Sequence, residues 1–445
     1  MPQPNFDQLA EEAVTYLRDL IRIDTTNPPG NELPAAEYLA GVLKREGLLP
    51  VVLESAPGRG NVVCRLPGNG EARPLMLMSH LDVVPAEAEA WTHPPFAGEV
   101  ADGFVWGRGA VDTKNLTAIE LAAMLALKRE GVRLKRDVVF TAAADEETGG
   151  RYGAAWLAGQ HRDLIDAEFA INEGGGLGMQ IGGRWFYFCQ TGEKAACRVA
   201  VRAHGRPGHG STPHNDQAVA HLARALIRLD KTRLPMHITA TARAMIEGLA
   251  HGLGGIQGLA MRGLLLPTVG DRLLQTLPLP QEMRLYFHAM LHNTATPTLL
   301  EAGSRINVIP GTATAQLDGR ILPGQTPDSF LAELRATMGD GVDLKVLSHG
   351  EPLQVPFDSP LTRTIAQVMA EVDPGSQVVP LLTVGGTDAK QFVPAGIQVY
   401  GFCPMRESAG DNPARLAHAH DERISIQNLR FGVEALYRIV HRFCE

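Results

Sequence analysis

Three short apolar runs constrain this chain more than any other feature. Residues 75–84 read LMLMSHLDVV, residues 137–150 read DVVFTAAADEETGG, and residues 167–176 read AEFAINEGGG. Each runs apolar and then stops at acids, glycines or both. A short apolar run bounded in this way reads as a strand covered on both faces. Between the first two lies LTAIELAAMLALKREG (116–131), a helix pattern with apolar residues at 3.6 spacing and Gly131 as its stop. Strands that alternate with helices predict an α/β fold: an open, twisted, mostly parallel sheet with helices on both faces. Ligands of such sheets collect at the C-terminal ends of the strands.

The flanking segments fit this frame. Asp7–Leu20, Ala35–Glu46 and Ala154–Gln160 read as helices, and Val51–Glu54, Asn61–Leu66 and Pro74–Ser79 as successive strands. From about Arg198 the texture changes. CRVAVRAHGRPGHGSTP alternates as a half-exposed strand does, NVIPGTATAQLDGRILPG (307–324) alternates again, and 232–300 reads as glycine-rich helical pieces. Gln217–Leu229 and Asp328–Met338 read as helices, and Ser425–Phe443 closes the chain. The 445 residues exceed one ordinary domain. The expected division is a discontinuous first domain, 1–196 and 352–445, interrupted by a smaller inserted α/β domain, 197–351.

Bulk composition narrows the partners. A net charge of −8 argues against nucleic acid, which asks for a basic face. No run of ~18 apolar residues exists, so no membrane span is expected. The stretch GLGGIQGLAMRGLLLP (252–267) is broken by Gln257 and Arg262. The N-terminus MPQPNFDQLAEEAV lacks a basic region followed by an apolar core, and so reads as no secretory signal. Cys64, Cys189, Cys197, Cys403 and Cys444 are scattered without C-x-x-C, the usage of reduced thiols; a cytoplasmic location follows as an expectation.

The acids that close the apolar runs carry the chemistry. His80 and Asp82 lie two apart, on one face of an extended chain. One can bind a metal while the other holds the far ring nitrogen. Asp112 closes the glycine-rich WGRGAVD, read as a further strand end. Glu146 and Glu147 are adjacent and can divide two roles, ligand and general base. Glu173 follows the third run. Acids this dense repel one another unless a divalent cation relieves them.

These segments resemble the dinuclear zinc hydrolases that include aminoacylase, carboxypeptidase S, glutamate carboxypeptidase, acetylornithine deacetylase and succinyl-diaminopimelate desuccinylase. The resemblance rests on SHLDVVPA (79–86), WTHPPFAGEVADGFVWGRGAVDTKN (91–115), ADEETGG (144–150), NEGGG (172–176), GHGSTPH (208–214), NVIP and DGRILPG within 307–324, GGTDA (385–389) and HAHDE (418–422). It implies a zinc-peptidase-like first domain with an inserted lid and dimerisation domain. It implies two Zn2+ per subunit, with Co2+ or Mn2+ as substitutes. His80, Asp112, Glu147, Glu173 and His418 resemble the metal ligands, Asp112 as the bridge, with His420 the rival of His418; His418 keeps the four-residue spacing to Glu422. Asp82 resembles the residue that orients His80, Glu146 the general base, and His209 the oxyanion stabiliser, which in this family often comes from the partner subunit. Asn307, Arg320, Gly386 and Thr387 resemble substrate-binding residues. Arg320 suits a carboxylate because its planar fork binds one bidentately, although an interdomain ion pair is its rival role.

The implied reaction is hydrolysis of an N-acyl amino acid, or of the C-terminal bond of a small peptide, by a two-zinc-activated water. Two other readings stay open: a dedicated acetylornithine deacetylase or succinyl-diaminopimelate desuccinylase, and a relative that only binds ligand. A homodimer through the inserted domain is implied as well. Thr113-Lys114 after the bridging acid departs from the Met-Lys or Asp-Lys of many relatives. The length of 232–300 is closer to the carboxypeptidase S and N-acyl-amino-acid hydrolase branch.

Overall fold

In the computed structural model, which describes residues 4–267, 269–277, 281–407 and 412–445, the strand Leu75–His80 lies between two parallel neighbours. Leu75 pairs with Val138 and His80 with Ala143 along one side; Leu75 pairs with Phe169 and Leu77 with Ile171 along the other. This register brings the ends of all three strands to one edge. Next to Phe169–Asn172 runs Gln398–Gly401, also parallel. Antiparallel strands flank these: Gly60–Leu66 and Val51–Glu54 on one side, Arg184–Glu193 and Leu177–Ile181 on the other.

The apolar runs are buried on both faces, as a largely parallel sheet requires. Leu75 and Leu77 join the core beneath the helices Phe6–Arg22, Lys114–Glu130 and Ile426–Cys444, which pack on one another; Met76 and Met78 are fully buried on the opposite face. The helix Lys114–Glu130 is buried from Lys114 to Leu127, which is why its sequence is apolar nearly all round. The Lys114 ammonium donates to the carbonyls of Leu20 and Ile23 at 2.9 and 3.0 Å, satisfying acceptors at the end of the first helix. Burial pushes its pKa down to about 7. Asn5 caps Phe6–Arg22 by accepting from the backbone of Asp7 and Gln8, and Ser425 caps Ile426–Cys444 by accepting from Asn428.

The chain divides into two units. The first comprises residues up to Thr191, Val355–Leu381 and Thr387–Glu445. The second comprises Gly192–Gln354 and adds Leu382–Gly386, a piece that no sequence signal marked. The second unit holds a four-stranded antiparallel sheet in the order Thr294–Ala302, Thr312–Ile321, Ala195–His204, Asp343–His349. The helices Ala218–Lys231 and Pro327–Met338 cover one of its faces through a separate core that includes Val199, Val201, Leu222, Leu317 and Phe330. The strand Thr294–Ala302 falls where only helical pieces were expected. It is an edge strand, exposed over most of its length, and so lacks the apolar alternation that marks a half-buried one. Among the described residues no helix is long and apolar enough to cross a membrane.

Gly153 shows how tightly the loop after Val138–Ala143 is packed. A Cβ there would lie 1.7 Å from the Ala144 carbonyl oxygen. Gly153→Ala should therefore destabilise the protein by roughly 3 kcal/mol in denaturant unfolding. Gly131→Ala, with φ of 63° but open space around it, should cost about 1 kcal/mol. Equal effects would contradict the close approach at Gly153.

Candidate metal centre

The edge where the strands end gathers the predicted acids. His80 is the last residue of its strand and is almost fully buried. Its Nδ1 lies 2.9 Å from the backbone carbonyl of Asp82 and 3.5 Å from the Asp82 carboxylate. The backbone oxygen, rather than the side chain expected from the sequence, is the nearer partner. A carbonyl only accepts, so Nδ1 carries a proton, and in the neutral ring Nε2 offers a lone pair. That Nε2 stands 3.1 Å from Asp112 Oδ1 and 3.6 Å from Glu173 Oε2.

Asp82, fully buried, binds the next turn. Its Oδ1 accepts from the Glu146 amide at 3.0 Å, and its Oδ2 from the Glu147 amide at 3.1 Å and Asn27 Nδ2 at 2.8 Å. Burial pushes the Asp82 carboxyl up, but His80 and these donors outweigh it and hold its pKa below the usual value. The turn enters through Asp145, whose φ of 72° lies in the left-handed region that non-glycine residues seldom adopt. Asp145 is held by Arg59 at 2.9 Å, and Arg59 by Glu32 at 2.7 Å.

Asp112 does not end a strand. It lies in the turn between Phe104–Trp106 and the helix Lys114–Glu130. Fully buried Glu422 positions it: Oε1 accepts from the amides of Val111 and Asp112 at 2.7 and 3.0 Å, and Oε2 pairs with Arg108 at 2.6 Å. The two oxygens of Asp112 face different histidines. Oδ1 meets His80, and Oδ2 meets His418 Nε2, also at 3.1 Å. His418 Nε2 lies 3.2 Å from Glu147 as well. His420, in the same turn, pairs instead with Glu87 at 3.6 Å. Neither histidine lies on a strand. His418 has φ of 61°, a conformation concentrated at functional sites.

Electrostatics asks for positive charge here. Burial raises the pKa of Glu146 and Glu173, and in Glu146 the charges of Glu173 and Asp388 add to it. Hydrogen bonds to Asp112 and Glu147 raise His418 to about 10. Burial would depress His80, yet Glu173, Asp112 and Asp82 lift it well above normal. Acids thus crowd round two imidazoles, His80 and His418. Ligand atoms of His80, Glu146 and Glu173 lie within 4.8 Å of one another, as do those of His80, Asp112 and Glu147. Nitrogen and oxygen donors at such spacing fit divalent ions. Asp112 could be shared, with His80 and Glu173 on one side and His418 and Glu147 on the other.

The remaining predicted residues divide between the units. Thr387, in the first, accepts through Oγ1 from Asn172 Nδ2 and from the Ala389 amide, at 3.2 and 3.1 Å. Gly386 belongs to the second, where a Cβ would lie 3.7 Å from Glu193 Oε2. Within the second unit His209 and Asn307 are brought together: His209 pairs with Val308, and the Gly210 amide donates to the Asn307 carbonyl at 2.8 Å. Arg320 pairs loosely with Asp318 of its own strand, 3.4 Å away, beside a cavity of about 350 Å³. Sequence reasoning missed Asn27, read only as loop, and Glu422, used only as a spacing mark. It also missed Asp388 and Lys390, whose Nζ lies 3.7 Å from Glu146. The one signal for the last two was their place in and after GGTDA.

The profile of Peptidase family M20/M25/M40 matches residues 76–442. The chain is 30% identical over 381 residues to N-fatty-acyl-amino acid synthase/hydrolase PM20D1 of Xenopus tropicalis, covering 82% of this chain and 72% of that protein. It is 27% identical over 424 residues to aminoacylase-1 of Sus scrofa, covering 93% and 90%. Among solved structures, the M20 family metallo-carboxypeptidase Sso-CP2 from Sulfolobus solfataricus has the same fold, with a TM-score of 0.69, 19% identity and coverage of 97% and 99%.

His80→Ala should lose bound metal, measured by elemental analysis of the purified protein. Asp82→Asn should keep most of it and lose roughly 10–100-fold in rate, because it disturbs the support and leaves the donors in place. Metal loss from Asp82→Asn as complete as from His80→Ala would overturn this division.

Proposed function

Because the chain belongs to Peptidase family M20/M25/M40 and is a metal-dependent hydrolase of amide bonds, we propose that it cleaves N-acyl amino acids, or the C-terminal bond of small peptides, with two zinc ions. The observation that carries the reading is Asp112, whose carboxylate presents one oxygen to each of two imidazoles while Glu146 stands beside them. Of the three similar proteins named above, the PM20D1 relative carries N-fatty-acyl-amino acid hydrolysis in its name, which favours that substrate class, while the carboxypeptidase Sso-CP2 keeps peptides in view. A dedicated acetylornithine or succinyl-diaminopimelate deacylase is the narrower rival. The intact set of His80, Asp112, Glu146, Glu147, Glu173 and His418 opposes a relative that only binds ligand.

Bound divalent ions polarise a scissile carbonyl and bring the pKa of the attacking water to roughly 7. The chain's own groups do the rest. His80, Asp112, Glu147, Glu173 and His418 hold the ions, and Asp82 fixes both His80 and the Glu146-Glu147 turn. Glu146 takes the proton of the attacking water and delivers it to the leaving amine. Lys390 lies close enough to favour the ionised base. In His209 the Ser211 amide, 3.3 Å from Nδ1, donates to that nitrogen. The proton of the neutral ring then sits on Nε2, the kind of donor that an oxyanion needs and that contributes roughly 3 kcal/mol where it is supplied. Within the second unit Arg320 offers the planar fork that suits a substrate's free carboxylate, and Asn307 is kept as a substrate-binding residue.

Five free, buried cysteines support a cytoplasmic setting. The edge strand Thr294–Ala302, which exposes Leu299 and Leu300, supports a homodimer through the second unit.

A panel of N-acyl amino acids and dipeptides, assayed with added zinc or cobalt, tests the substrate class; turnover confined to acetylornithine or succinyl-diaminopimelate would favour the rival. Glu146→Gln should retain its metal and lose roughly 10²–10⁴ in rate. Turnover within tenfold of the parent protein would remove Glu146 from the role of base.

A further inference from the structure

We propose that Asp271, His288 and His292 form a further cation site, within the second unit, for a borderline divalent ion of the zinc type. The two histidines are four residues apart. His288 lies in the helix Gln281–Leu291 and His292 directly follows it, so the rings share one side, with centroids 4.4 Å apart. Asp271 comes from the helix Gly270–Thr276. One ligand atom from each of the three lies within 4.8 Å of the others.

The hydrogen bonding of His292 leaves a lone pair that needs a cation. The residue is fully buried. Its Nδ1 lies 2.9 Å from the His288 backbone carbonyl, and a carbonyl can only accept, so Nδ1 bears the proton. Nε2 is then an acceptor. Among the described residues it has no hydrogen-bond partner, and what faces it at 3.4 Å is Asp271 Oδ1. Two lone pairs opposed across a space that is buried on the His292 side repel. A proton on Nε2 as well would make a buried imidazolium, which burial disfavours. A metal ion between them turns the repulsion into two bonds. Donors about 2.0–2.1 Å from a tetrahedral ion stand about 3.3 Å apart, close to the spacing found. His288 Nδ1 is likewise buried without a partner among the described residues.

The surroundings prepare these ligands. The Lys194 ammonium holds the His292 carbonyl at 2.8 Å, and Met236 bridges to His292 in backbone pairing. Arg233 steadies Asp271 Oδ1 at 2.8 Å. These two cations weaken the site relative to an isolated donor set, so it should exchange its ion more readily than a four-ligand structural site. Arg233 and His288 also line a cavity of about 810 Å³, from which water can supply a fourth ligand. A bound ion would tie Gly270–Thr276 to Gln281–Leu291.

The test uses the full chain and zinc alone, by equilibrium dialysis and elemental analysis. In a His80→Ala, Asp112→Ala background, which removes donors from the main centre, one equivalent of zinc should remain bound. Adding Asp271→Asn or His288→Gln should abolish it. In the otherwise unaltered protein each of these two substitutions should remove one equivalent and leave amide hydrolysis within twofold. Asp271 is about one-third exposed, and its replacement keeps shape and size, so far-UV circular dichroism should match the parent. Equal zinc binding by the parent and both folded variants would overturn the proposal, whatever the stoichiometry of the main centre.

Discussion

The candidate centre depends on one buried carboxylate that supports the donors from behind. Asp82 accepts the amides of Glu146 and Glu147 and the side-chain amide of Asn27, while its own carbonyl receives the His80 ring. A single residue thus joins the end of Leu75–His80 to the turn after Val138–Ala143. Without it, the Glu146-Glu147 turn and the His80 imidazole would be set by separate loops. Parallel pairing brings the two strand ends level, and Asp82 converts that rough alignment into fixed directions for three side chains. Its charge is offset by His80 and by oriented N–H groups rather than by solvent, which is the arrangement that keeps a fully buried carboxylate ionised.

The same logic recurs on the opposite side of the cluster. Asp112 lies in a turn, where no sheet ladder fixes it. Glu422 supplies that rigidity by accepting two consecutive amides, and Arg108 balances its charge in an almost solvent-free pair. Removing one partner of such a pair leaves the other charge buried and uncompensated, at a cost of roughly 3–5 kcal/mol. His80, the Glu146-Glu147 turn and Asp112 therefore each have a backing group whose work is structural. Burial, with repulsion from neighbouring acids adding to it, raises the pKa values of Glu146 and Glu173, and the supports hold the acid cluster together against that cost.

Much of this was legible in the sequence, for a local reason. His80, the Glu146-Glu147 pair and Glu173 directly follow apolar runs, so the pattern that marks the strands also marks their ends. Asp112 stood out only through the glycines before it, and its turn was mistaken for a strand end. Asn27 was illegible, because its partner is 55 positions away and its setting, DTTNPPGNE, reads as a plain exposed loop. The nearer contact of His80 Nδ1, to a backbone carbonyl, was equally hidden, since side-chain alternation says nothing about where carbonyls point. His418 and His420 share one short segment, and a left-handed residue at His418 sends them to different neighbours, a backbone fact without a spacing signal. The edge strand Thr294–Ala302 escaped because exposure removes the pattern on which strand reading rests.

The second unit raises the converse question, of chemistry that the sheet-end rule does not anticipate. His288 and His292 lie at helical spacing, and on that spacing alone a core or capping role would be the plainer reading. What separates them from such a role is the direction of one proton. Because His292 gives its Nδ1 hydrogen to a carbonyl, its remaining nitrogen can only accept, and the group placed opposite is a carboxylate that also only accepts. The main centre shows the same motif: His80 gives its Nδ1 hydrogen to the Asp82 carbonyl and turns Nε2 towards Asp112 and Glu173. In both places a backbone oxygen fixes the tautomer and an acidic side chain stands where a proton donor would be needed. A neutral imidazole nitrogen that faces a carboxylate is unfavourable by itself and becomes favourable around a cation. That shared local geometry, rather than the count of histidines and acids, is what joins the two clusters in one physical class.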